Sequence, residues 1–87
     1  MASLFRFTTH ALDELKERQI AKSIVLKVLE NPDQVVPAYG GRKCYQSKVK
    51  VTGKEYLIRV IVDEQTDPFA VVTAYRTSKI DKYWSKT

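Results

Sequence analysis

A chain of 87 residues is one domain, with material for a single core and too little for two. Hydrophobic residues at 44% and charged residues at 29% fit a globular protein and exclude a disordered one. The formal net charge of +5 points to a polyanionic or acidic partner and carries no information about fold.

In chain order, Leu4 to Phe7 alternates and reads as a short edge strand. Thr8 or Thr9 offers a hydroxyl N-cap to an amphipathic helix with Leu12 and Leu15 on one face and Asp13, Glu14, Lys16 and Glu17 opposite. A second apolar stripe, Ile24, Val25, Val28 and Leu29, has helical spacing and stops at Asn31-Pro32. Between them, Gln19-Ile20-Ala21 supplies neither a C-cap glycine nor a good N-cap, so two helices and one longer bent helix both fit.

After Pro37 the period becomes two. Over Lys43 to Val51, Tyr45, Val49 and Val51 point one way while Cys44, Gln46, Lys48 and Lys50 point the other. Thr52-Gly53 reads as a tight hairpin loop. Lys54 to Asp63 is apolar on both faces except at its ends and at Arg59, which places it centrally in a sheet. Glu64 to Pro68 is a polar turn, and Phe69 to Tyr75 is a further strand. The expected fold is α+β: two N-terminal helices packed on an antiparallel β-meander, one domain over residues 1–87.

Cys44 is the single cysteine, so no intrachain disulfide forms and a reducing, cytoplasmic setting is expected. No apolar run approaches the ~20 residues that cross a bilayer, and no signal-peptide core opens the chain, so no membrane partner is expected. One His and one Cys do not make a His/Cys metal site, the carboxylates have no paired ligand spacing, and no Gly-rich phosphate loop occurs. Neither metal nor cofactor is expected.

The second half holds the residues that point to chemistry. An arginine inside the apolar run Tyr56 to Val62 must sit at an edge, pair internally or face an anion, because a buried guanidinium without acceptors costs several kcal/mol. Arg59 is that residue, and pairing with Asp63, Glu55 or a helix carboxylate weighs equally with anion contact. Arg76 ends the next strand beside Thr77, Ser78 and Lys79, a cluster of donors suited to phosphate. From there the tail sets Arg76, Lys79, Lys82 and Lys86 against Asp81 alone. Tyr83 and Trp84 could stack on bases or cap the core. His10 is the one side chain whose unperturbed pKa suits proton transfer near neutrality, and packing is its competing role. Arg18 and Arg42 are candidate phosphate contacts or ordinary surface charges. Cys44 has no neighbouring base in the sequence and reads as structural.

The order helix, helix, meander, with one arginine inside a strand and another closing the next, resembles the RelE/ParE superfamily of small bacterial toxins. A less characterised branch is closer: its N-terminal signature, roughly F-T-x-H-A-x-x-R-x-x-E-R-x-I, is similar to Phe7-Thr8-Thr9-His10-Ala11 through Glu17-Arg18-Gln19-Ile20. Leu15, Gln19 and Ala21 depart from the branch pattern at structural positions. The resemblance implies the toxin of a toxin-antitoxin system, a metal-free endoribonuclease cleaving mRNA, often on the ribosome, and restrained by an antitoxin protein. Its chemistry is attack of a ribose 2′-hydroxyl on the adjacent phosphate, which needs a base, a cation for the phosphorane charge and an acid for the leaving oxygen. The roles fall in that family to basic residues on the central strands and an aromatic or basic residue near the C-terminus, here Arg59, Arg76 and Tyr83, with His10 as a further catalytic candidate. RNA contacts would come from Arg18, Arg42, Lys79 and Trp84. The alternatives are a non-catalytic RNA- or protein-binding module of the same fold and a ParE-like topoisomerase inhibitor.

Overall fold

The structure, a computed structural model, describes residues 4–86. Helix α1 spans Thr9–Glu17 and α2 spans Lys22–Glu30. Thr8 caps α1: its hydroxyl accepts from the Ala11 amide at 3.0 Å and donates to the Val71 carbonyl at 3.1 Å. One side chain thus closes a helix and ties it to the sheet, where a cap alone is worth about 1 kcal/mol.

The two-helix alternative is the one that forms, and the break is made without glycine. Gln19 adopts a left-handed φ of 56°. Its amide donates to the Lys16 carbonyl at 3.3 Å, and the Ile20 amide reaches back to the Leu15 carbonyl at 2.9 Å. That pair of bonds is a Schellman closure, and Leu15 and Ile20, both buried, supply its apolar contact.

Five strands form one sheet: β1 (Phe5–Phe7), β2 (Gln34–Pro37), β3 (Lys43–Val51), β4 (Lys54–Asp63) and β5 (Phe69–Thr77), in the order β1-β5-β4-β3-β2. β3, β4 and β5 are the expected antiparallel meander, but the sheet is mixed, because β1 pairs parallel with β5 through Phe5↔Phe69 and Phe7↔Val71. Helices α1 and α2 separate β1 from the rest of the sheet in sequence, so a connection that reverses direction does not constrain it. β2 joins the opposite edge, antiparallel to β3, and a short α3 (Ile80–Tyr83) follows β5. Thr52 and Gly53, with φ of 49° and 80°, form the two-residue loop between β3 and β4, the positive φ at both positions being what a type I′ hairpin requires.

Ala11, Leu15, Val25, Val28 and Leu29 from the helices and Ile20 from the turn between them pack on Ile58, Val60 and Val62 of β4 and Val71 and Ala74 of β5. On the other face Cys44, Leu57 and Ile61 are also buried. Covered on both faces and third in the strand order, β4 holds the central place its sequence predicts. No helix among the described residues is long and apolar enough to cross a membrane.

Candidate nucleic-acid interface

Strand alternation sorts the candidate residues between the two faces of the sheet. Arg59 lies opposite Gln46 on β3 and Tyr75 on β5, whereas Arg76 lies opposite Ile58, a member of the helix-facing core. Tyr75 and Arg76 are consecutive, so the two arginines project from opposite faces. The convergence of Arg59 with Arg76 expected from the resemblance does not occur.

The face away from α1 and α2 carries Arg59, Tyr75, Gln46 and Lys48, and the C-terminal segment crosses it. Two glutamines hold that segment. Gln46 Nε2 donates to the Tyr83 carbonyl at 3.2 Å and to Gln34 Oε1 at 2.8 Å. Gln34 Nε2 donates to the Ser85 carbonyl at 2.7 Å, and the Ser85 amide returns a bond to Gln34 Oε1 at 3.0 Å. Gln46 is fully buried, so these bonds are made away from water, where leaving them unmade is costly.

Tyr83 is thereby laid over Arg59, with the guanidinium carbon 4.4 Å from the ring centroid. Arg59 Nε donates to Gln46 Oε1 at 2.9 Å, and Nη1 donates to the Tyr75 hydroxyl. The Tyr75 ring, 5.7 Å from the same carbon, meets Tyr83 edge-on at 6.3 Å. Half-buried Arg59 forms no ion pair among the described residues. Its charge is held by rings, a phenol and an amide, none of which cancels it. Lys48 lies 4.2 Å from the Trp84 ring and Lys82 5.3 Å from the Tyr83 ring, which extends the alternation of cation and aromatic along the face. Beneath it, burial pushes the Cys44 thiol up from its ordinary pKa, with the Arg59 charge opposing, so the thiol stays protonated and unreactive.

The remaining candidates lie elsewhere. His10 is exposed on α1 and sits 3.3 Å from Glu14. Glu14 also holds Arg18 at 2.6 Å, and Arg18 Nη1 donates to the Ala74 carbonyl at 2.7 Å at the edge of β5. Eight residues separate His10 from Arg18, about 12 Å of helix, and neither reaches Arg59. Arg76 is exposed, with its guanidinium 5.2 Å from the Tyr56 ring. Arg42 precedes β3, about 13 Å along the strand from Gln46. Lys79 is exposed at the start of α3, its amide bonded to Thr77 Oγ1 at 3.0 Å. Arg59, Tyr83 and Trp84 are thus the candidates brought to one surface. Gln34, Gln46, Lys48 and Tyr75 belong there too and were not singled out by the sequence. Their common face was legible in the β3 alternation; their contact with Arg59 depended on strand register.

The family model described as a domain of unknown function, DUF4258, matches residues 7–76. The chain belongs to this family. The DUF4258 match takes in His10, Arg18, Gln46, Arg59, Tyr75 and Arg76, while Lys79, Tyr83 and Trp84 lie beyond it. No curated protein and no solved structure matches the chain. Among the described residues no group of three or more His, Cys, Asp or Glu side chains could hold a metal ion.

Proposed function

We propose that this protein is a RelE/ParE-like RNA-binding domain that holds single-stranded RNA against the sheet face bearing Arg59. The observation that carries this reading is Arg59 itself, a half-buried cation stacked on Tyr83, bonded to neutral partners and opposed by no carboxylate among the described residues. A guanidinium so placed has its orientation set and its charge free for a phosphate. Lys48 beside Trp84 and Lys82 beside Tyr83 add backbone neutralisation and ring surfaces for unstacked bases, the two ingredients of single-strand recognition.

Cleavage is the second reading, favoured by one contact: Arg59 touches Tyr83 and Tyr75, a cation with two phenols. In that reading Arg59 stabilises the phosphorane and a phenol moves the proton, since His10 and Arg76 are not at this face. The reaction is a toxin's, and an antitoxin protein covering this face is the partner it implies.

Fluorescence anisotropy with a labelled single-stranded RNA tests the proposal. Binding should weaken with salt, with a logarithmic slope of about −0.7 per phosphate neutralised. Arg59→Lys, which keeps the charge and loses the planar fork, should weaken it about tenfold, as expected for a lost charge-assisted contact of ~1.5 kcal/mol. Salt-insensitive binding, or full affinity in a folded Arg59→Lys protein, overturns the assignment of this face. Appearance of new 5′-hydroxyl ends in the same mixtures decides for cleavage, and intact RNA decides for binding alone.

A further inference from the structure

β5 is paired with β1 only through residues 69–71, so its outer edge beyond them carries no strand among the described residues. α1 runs beside that edge, and Arg18 at its C-cap reaches into it, with Nη1 on the Ala74 carbonyl at 2.7 Å and 3.4 Å from Thr73 Oγ1. Glu14 steadies the same guanidinium from the other side at 2.6 Å. These contacts fix the position of Arg18 and leave part of its five-donor fork unengaged. Arg76 lies next to it: Arg18, Arg76 and Tyr75 line one cavity of about 410 Å³. Arg76 forms no ion pair among the described residues, and it shares the Tyr56 ring with Lys54, whose Nζ is 5.5 Å from the centroid. Two arginines and one glutamate leave this edge with a net positive charge.

We infer that the open edge of β5 is a second phosphate-binding site, formed by Arg18 and Arg76, onto which an RNA strand gripped at Arg59 continues. The inference rests on the RNA reading above and adds a direction to it. Tyr75 is the link: its hydroxyl accepts from Arg59 on the sheet face, and the same residue lines the cavity with Arg18 and Arg76 at the edge. A strand passing Tyr75 therefore leaves one guanidinium and meets two more. Arg59 and Arg76 contribute to one path from opposite faces of the sheet.

Single-strand sites on compact domains run from about 4 to 16 nucleotides, so strand length separates the two sites. The experiment measures affinity for labelled uridine oligonucleotides of about 4 and about 12 nucleotides, with the unaltered protein and with Arg76→Ala. The unaltered protein should bind the longer strand more tightly, and Arg76→Ala should reduce that advantage about tenfold and make its salt slope shallower by about 0.7. An advantage unchanged in Arg76→Ala, with circular dichroism showing a folded protein, overturns the edge site and leaves the Arg59 face standing. Failure of the unaltered protein to bind either strand removes the RNA reading, and the edge site with it.

Discussion

At the residue scale, the local setting of a side chain decides whether a chemically suggestive residue is available. Arg59 and Arg76 look alike in sequence, each an arginine in an apolar strand, yet β5 alternation sends them to opposite faces. Arg59 was legible as a residue that must find partners. That those partners would be Gln46, Tyr75 and Tyr83 depended on register and on the path of the C-terminus. Tyr45 is a parallel case on the helix-facing side: its hydroxyl donates to Glu64 at 2.5 Å, and its ring meets Phe5 edge-on at 5.8 Å. Burial first, and then the bond and charge of Glu64, push its pKa from 10.0 up to about 12. The folded state therefore holds this proton more tightly than the unfolded chain, so its contribution is complete below pH 10 and is lost as pH rises toward 12. Tyr45→Phe should be less stable than the parent at neutral pH and should lose stability less steeply over that alkaline window. Urea unfolding at a series of pH values checks this, and parallel pH profiles for the two proteins would contradict it.

At the scale of elements, length governs how much of an element its own sequence shows: of the short ones, the β1 edge strand follows from the alternation of Leu4 to Phe7, while β2 and α3 carry no such signal. β3 and β4 occupy the spans their alternation and apolar content predict, because nine or ten residues carry enough periodicity to set a face. β1, β2 and α3 have three to four residues each and exist through their partners. The break between α1 and α2 contains no glycine, so its sequence fits two helices or one bent helix equally. Gln19 takes the left-handed position because Leu15 and Ile20 close over it and the Lys16 and Leu15 carbonyls are satisfied. A non-glycine residue there carries a steric cost of about 1 kcal/mol. Gln19→Gly should relieve it, raising stability by about 0.5 kcal/mol after the larger chain entropy of glycine is subtracted. Thermal or chemical unfolding reads the sign, and a destabilised Gln19→Gly protein would mean that the Gln19 side chain itself contributes to the closure.

For the whole molecule, the decisive event is the return of the chain's end across the sheet. Residues 83–85 lie on the face opposite α1 and α2, tied by Gln34 and Gln46, and carry Tyr83 and Trp84 to Arg59 and Lys48. Gln46→Leu fills the same space but strands the Arg59 Nε donor and the Tyr83 carbonyl, at a cost of about 2 kcal/mol. Beyond that loss, amide hydrogen exchange at Trp84 and Ser85 should quicken more than exchange in β4. Uniform quickening would show that the glutamine stabilises the fold without specifically anchoring the tail. The α+β class, the apolar stripes of the helical segments, the extent and centrality of β4 and the net positive charge all follow from the amino-acid order alone, because each is carried by local period or composition. The parallel pairing of β1, the separation of Arg59 from Arg76, and the gathering of Gln46, Tyr75 and Tyr83 around one guanidinium emerge only in three dimensions. Those depend on register and on contacts between segments tens of residues apart, whose free energy arises only once the sheet has assembled.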